Sequence, residues 1–275
     1  MIRTLFTRVS ILALAFAVFT FGHDYFGRTL AAVWDIDDRA QFNAKFNWIA
    51  LVLGVTILTT MVLYFRKNPN FWGIKLAYFT LTLLLIFFSF KNLLVVHSEI
   101  IHFPQYALIA LLLFPIIKNL PETLFLTIVL GLVDECYQYF VLAPQKTAYL
   151  DFNDMWLNTL GGGLGILLAG TVFPKHLNPK KNYLGVDGIL FKGLISITAI
   201  FALFFFSGFM GYNQEIHPHA TYFLFKEEPQ SFWTEADFDV VYHIVRPLEG
   251  ILAIAFYFWV LFPLEKYIRD DNSEK

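Results

Sequence analysis

A single cysteine, Cys136, is all that this 275-residue chain carries. That excludes an intrachain disulfide and every zinc centre built from several cysteines. Cys136 stands in an apolar run, where packing is its plainest role. Charge is scarce as well: Asp, Glu, Lys and Arg make up 15% of residues, against about a quarter in soluble domains. The net charge of -2 comes without a long basic run, so the electrostatic footprint of a nucleic-acid binder is missing. No His-Glu-x-x-His or comparable zinc motif occurs. Nor does a small-x-small cleavage site follow the apolar run from Val9 to Gly22; bulky His23-Asp24-Tyr25-Phe26 stands there instead. Arg3 and Arg8 therefore introduce a retained first helix rather than a secretory leader.

What the chain has in abundance is apolar surface. Hydrophobic residues make up 57%, aromatics 19% with 32 Phe, and the mean hydropathy is +0.57. Spanning a bilayer takes about 20 mostly apolar residues, because every backbone polar group must be satisfied within the segment. Such segments run over 6–24, 46–65, 72–90, 102–118, 122–142, 155–173, 189–210 and 241–262. Polar and proline-containing linkers separate them, among them Arg66-Lys67-Asn68-Pro69, Asn119-Leu120-Pro121 and Pro179-Lys180-Lys181. The fold class read from this pattern is all-α, a polytopic transmembrane bundle of about eight spanning helices. It divides into an N-terminal helix pair over 1–71, a core over 72–174, and a C-terminal pair over 175–275 with an acidic loop over 211–240.

Orientation follows from Lys and Arg in alternate loops. With the N-terminus inside, Arg3, Arg8, Arg66, Lys67, Lys118, Lys175, Lys180, Lys181, Lys266, Arg269 and Lys275 are cytoplasmic. Arg28, Arg39, Lys45, Lys91, Lys146 and Lys226 are external. Eleven against six predicts a multi-pass cell-membrane protein with both termini in the cytoplasm. The loop over 211–240, with Glu227, Glu228, Asp237 and Asp239, then lies outside and reads as a solvated face. Trp48, Trp72, Trp156 and Trp259 fall near segment ends, where indoles prefer the membrane interface.

Three segment ends meet on that external side. One opens with Glu99-Ile100-Ile101-His102, the next closes with Asp134-Glu135-Cys136-Tyr137-Gln138, and the third opens with Asp151-Phe152-Asn153-Asp154 and continues to Asn158. The spacings are helical: Glu99 with His102, Glu135 with Gln138, and Asp151, Asp154 and Asn158 each share a face. Ionisable residues at membrane depth are costly and face a partner or a wet cavity. Glu135 is the sharpest case, with apolar runs on both sides. Glu99, Asp151 and Asp154 also have a plainer reading, as interfacial carboxylates at helix N-termini. The run Gly161-Gly162-Gly163-Leu164-Gly165, with Ala169 one turn on, makes a small-residue stripe for close helix packing.

These motifs together resemble the VanZ-like family of membrane proteins. The family carries an acidic residue followed by His-Phe and a nearby Tyr, here Glu99-Ile100-Ile101-His102-Phe103-Pro104-Gln105-Tyr106. Glu-x-x-Gln follows as Glu135-Cys136-Tyr137-Gln138, and Asp-x-x-x-Asn as Asp154-Met155-Trp156-Leu157-Asn158. The motifs lie in order on consecutive segments within 72–174. One departure stands between the second and third: where the family often has Arg, this chain has Ala143-Pro144-Gln145-Lys146-Thr147. Lys supplies charge there without Arg's planar, bidentate grip. The family is named for a teicoplanin-resistance factor, so the resemblance implies a bacterial inner-membrane, cell-envelope setting with a bearing on antibiotic resistance.

Two or three acids, one imidazole and two amides suit acid–base chemistry on a lipid or lipid-linked envelope precursor. In that reading Glu135, His102 and Asp154 are catalytic, while Glu99, Gln138, Asn158, Asp151 and Lys146 bind substrate. No metal site is expected, although Glu99, His102, Glu135 and Asp154 are donor types that suit a divalent cation; the sequence leaves the cofactor unknown. The alternative is a non-catalytic binder, a transporter or a structural subunit with membrane lipids and a protein partner around it. A transporter places its polar residues nearer the bilayer midplane, whereas here they crowd one end.

Overall fold

A computed structural model describes residues 2–33, 39–67, 72–142, 149–174, 177, 188–225, 231–236 and 240–273. Its helices are α1 (Ile2–Val33), α2 (Arg39–Lys67), α3 (Trp72–Asn92), α4 (His102–Ile117), α5 (Leu120–Tyr137), α6 (Phe152–Val172), α7 (Ile189–Phe206), α8 (Pro247–Leu261) and α9 (Leu264–Ser273). A 3-10 turn, His97–Ile101, leads into α4, and a π turn, Gln138–Leu142, extends α5. Four short strands lie between α7 and α8: β1 (Met210–Gly211), β2 (Tyr222–Phe223), β3 (Thr234–Ala236) and β4 (Val240–Tyr242). Among the described residues, eight helices are long and apolar enough to cross a membrane, α8 doing so with the first turn of α9. The protein is an all-α multi-pass membrane protein.

The helix ends are set by ordinary local chemistry. Lys118, at φ 57, turns the chain left-handed after α4. The extended Asn119 then caps α5 by accepting the Glu122 N–H at 2.9 Å. Glu265 of α9 clamps this turn from below, accepting the Leu120 N–H at 2.6 Å and the Asn119 amide at 3.3 Å. A carboxylate there also suits the positive end of α5. Asp151 caps α6 through the N–H groups of Asn153 and Asp154, at 2.9 and 3.1 Å. The last span begins at Pro247 and not near 241, since residues 240–242 pair as a strand with β3 and Pro suits a first helical position. At the other end of the chain α1 outruns the expected 6–24, continuing to Val33 through its polar second half.

α6 is the central helix, buried along nearly its whole length and packed against α3, α4, α5, α8 and α9. Its glycines let α4 lie directly on it. A Cβ at Gly161 would sit 2.6 Å from the Phe103 carbonyl oxygen, and one at Gly165 would sit 2.5 Å from that of Ala107. The apolar faces of α1, α2 and α7 stay open, with Phe6 73% and Phe206 90% exposed. In a bilayer those faces meet lipid tails rather than water. Trp48 and Trp259 are likewise exposed. Trp156, in contrast, turns inward: its indole N–H donates to the Ser89 hydroxyl at 2.9 Å and its ring meets Tyr257 edge-on.

The segment after α7 does not behave as a loose solvated face in its described part. β1 and β2 pair in parallel, Tyr149 bridges Phe225, and the Leu150 N–H donates to the Leu224 carbonyl at 3.1 Å. Met210, Leu224 and Phe225 are buried, and the Tyr139 hydroxyl donates to the Phe223 carbonyl. Asn153 stitches this cap to the bundle: its amide donates to the carbonyls of Leu93 and His243, while its oxygen accepts the Val245 N–H at 2.7 Å. Glu215 and Glu235 are exposed, as a solvated face requires. Glu227, Glu228, Asp237 and Asp239 lie outside the described residues.

Candidate functional site

Helical spacing on α4, α5 and α6 brings three of the motif residues into one hydrogen-bonded chain. The His102 ring nitrogen Nδ1 lies 2.7 Å from Asn158 Oδ1. The Asn158 amide donates to Glu135 Oε1 at 3.1 Å. His102, Asn158 and Glu135 are each no more than 2% exposed. Because Asn158 spends its donor on Glu135, its oxygen must accept, and His102 therefore carries its proton on Nδ1. The other ring nitrogen, Nε2, faces Asp154, whose Oδ2 is 3.6 Å away, too far for a direct hydrogen bond. Asp154 is the member nearest the surface, with its side chain 13% exposed.

A second pair lies beside this chain. The Tyr106 hydroxyl donates to Asp134 Oδ2 at 2.8 Å, and both residues are buried. Asp134 and Glu135 are adjacent, so their side chains diverge by about 100° around α5. Both are buried because α5 packs against α4 on one side and α6 on the other. Glu135 feels the charges of Asp154, Asp151 and Asp134. Asp134 stands beside Glu135 in the sequence, and nothing in the helical spacing alone gives it a role. Tyr106, one turn beyond His102, was the signal that a second face was in use.

The other expected site residues distribute around this core. Asp151 is half-buried at the α6 N-cap. Glu99 is half-buried in the 3-10 turn, and its charge reaches Tyr242, whose phenol burial raises first and the charges of Asp151 and Glu99 raise further. Gln138 is half-buried where α5 passes into the π turn. Lys146 lies outside the described residues. Among the described residues, no three His, Cys, Asp or Glu side chains gather as a metal ion requires.

Asp151 gives the site a pH signature. Burial first, and the Asp154 charge second, push its carboxyl from 3.8 up to about 7, against the pull of the Asn153 and Asp154 N–H groups. Between those values the folded protein keeps a proton that the unfolded chain has lost, so stability falls as pH rises from about 4 to about 7. The melting temperature in detergent should therefore drop between about pH 5 and about pH 8, across the upper part of that titration. Asp151→Asn, which keeps the cap, should flatten that slope; an unchanged slope would mean that another group titrates.

A family model described as VanZ/LLP1 matches residues 9–173, more than half of the chain. The chain belongs to the VanZ/LLP1 family. The match reaches through α1 and α2, beyond the 72–174 stretch that carries the three motifs. All of the hydrogen-bonded members of the site, on α4, α5 and α6, fall within the family region. Neither the curated proteins nor the solved structures yield a match.

Proposed function

We propose that this VanZ/LLP1 family protein works in the membrane of a bacterial cell envelope, performing acid–base chemistry on a lipid or lipid-linked envelope precursor. The observation that carries this reading is the buried chain from His102 through Asn158 to Glu135, with Asp154 Oδ2 3.6 Å from the second imidazole nitrogen. Three polar side chains on three helices, each bonded to the next, are costly to maintain in a membrane core without a use. Asn158 fixes the imidazole tautomer and orientation, and Glu135 fixes Asn158. His102 Nε2 is then the base that takes a proton from an attacking hydroxyl, and later returns it to the leaving group. Asp154, at the rim, receives and orients the incoming group, with Asp151, Glu99, Gln138 and Lys146 as further substrate-binding positions.

The test compares the lipids of cells making the parent protein with those of cells making His102→Gln at equal levels. The parent should produce or consume a lipid species by mass spectrometry that the variant leaves unchanged. Identical lipid profiles for parent and variant sink the enzymatic reading and leave a binder or structural subunit.

The same reading places the site at the non-cytoplasmic end, with both termini in the cytoplasm. An even number of spans keeps the termini together, and the end opposite the site gathers positive charge. There Arg8 donates to the Pro115 carbonyl at 2.9 Å, close to Lys118. Single cysteines in a Cys136→Ser background should react with an impermeant thiol reagent in intact cells at Glu227 and not at Lys180. The reverse pattern inverts the topology.

A further inference from the structure

We propose that Asp134 and Gln138 are ligand-binding residues of this site, and that they take an uncharged head group bearing hydroxyls. The inference deepens the reading above and rests on it for the location of the site. It starts from two complementary polar atoms left open in the interior. Asp134 is 4% exposed; its Oδ2 holds the Tyr106 hydroxyl, while its Oδ1 is buried with no hydrogen-bond partner. Gln138 Nε2, a donor, is also buried with no partner. Open acceptors and donors away from water are costly, and a protein keeps them where a ligand completes them.

Their placement joins them to the site. Gln138 keeps helical backbone angles, φ -60 and ψ -46, so residues 134 and 138 are neighbours on one face, with Cβ atoms about 5–6 Å apart. Gly131 stands one turn earlier on that face. A Cβ there would meet the Asn158 Cβ at 3.1 Å and the Tyr106 ring at 3.4 Å. The face therefore abuts the His102–Asn158–Glu135 chain. Tyr106 fixes the Asp134 carboxylate, and Glu135 turns its Oε1 to Asn158.

The chemistry of the two atoms selects the ligand. A hydroxyl donates to Asp134 Oδ1, and a neighbouring hydroxyl oxygen accepts from Gln138 Nε2. A phosphate brings acceptors alone to Asp134 and meets the charges of Glu135, Asp151 and Asp154. An ammonium brings donors alone and leaves Gln138 Nε2 open. A polyhydroxyl group such as a sugar satisfies both atoms.

The whole chain in phosphatidylcholine nanodiscs, doped with glucosyl-diacylglycerol, phosphatidic acid or phosphatidylethanolamine, tests this by thermal melting. The glucosyl lipid should raise the parent's melting temperature, and the other two should not. Asp134→Asn keeps an acceptor for Tyr106 but places a donor where the ligand's donor arrives. Both Asp134→Asn and Gln138→Leu should need at least about tenfold more glucosyl lipid for the same shift. Methyl glucoside in solution identifies the source. Competition assigns the free sugar, and lack of competition assigns the lipid-borne head group. Equal response to all three lipids, preference for either phospholipid, or undiminished response in the variants overturns the proposal. So does a parent that ignores the glucosyl lipid, its two atoms then being filled by water. If Asp134→Asn does not fold, Gln138→Leu decides alone. Binding needs no turnover, so a failed acid–base reading in His102→Gln leaves this measurement intact.

Discussion

Gly161→Leu should all but abolish the folded protein, and even Gly161→Ala should lower its melting temperature well below that of the parent. The added Cβ would lie 2.6 Å from the Phe103 carbonyl oxygen and 3.0 Å from that of His102. Those are backbone atoms of α4, so no rotamer change relieves the clash. Helix α4 must move bodily away from α6, against packing in which Leu157, Leu160 and Ile109 are almost fully buried. Overpacking commonly costs about 1–3 kcal/mol, and a forced helix separation belongs at or above the top of that range. The damage also reaches the site, because His102 on α4 and Asn158 on α6 are held at 2.7 Å across this same contact. Gly54→Ala is the control, since nothing lies within 4 Å of a Cβ there. Melting of Gly161→Ala in step with Gly54→Ala would show that α4 and α6 do not approach this closely.

Glu135→Gln should do the opposite, sparing the fold and removing the function. Gln retains an oxygen to accept the Asn158 amide, now held at 3.1 Å, and keeps the side-chain volume. It removes an ionisable carboxyl from a layer where Asp154, Asp151 and Asp134 all act on Glu135. Replacing a buried carboxyl among like acids by a neutral amide relieves desolvation and repulsion, so it is neutral or stabilising. The melting temperature should therefore match or exceed the parent's. The lipid change that marks the parent should vanish in Glu135→Gln, because the amide still accepts from Asn158 but neither takes nor gives a proton, which the carboxyl does in the proposed acid–base chemistry. Glu135→Leu separates the two effects: it leaves the Asn158 amide without its acceptor, at a cost of about 1–3 kcal/mol. A Glu135→Gln protein that still produces the lipid change removes Glu135 from the chemistry, whatever its stability.

Most of the architecture was legible from hydropathy, because lipid imposes on each span a length and composition that a single sequence records. The polar spacings on α4, α5 and α6 were legible for a related reason. Helical periodicity tells which residues share a face before any neighbour is known, and His102, Glu135, Asp154 and Asn158 do meet. Trp156 went the other way. Its position near a segment end matched an interfacial indole, but Ser89 on α3 offers the acceptor that draws it inward.

The cap over the polar end was not legible, since it rests on pairings between distant residues. Leu150 with Leu224, and Asn153 with Leu93, His243 and Val245, join parts of the chain that no local pattern relates. The Tyr106–Asp134 pair belongs to the same class. Composition and periodicity by themselves determined that this is a bundle of spanning helices with acids, imidazole and amides on particular faces, because those properties act within one helix. Only the tertiary structure decided which faces meet, that two adjacent carboxylates are both buried, and that Asn158 links His102 to Glu135. Those depend on α4 and α5 both packing against α6, a relation between helices that one-dimensional spacing does not contain.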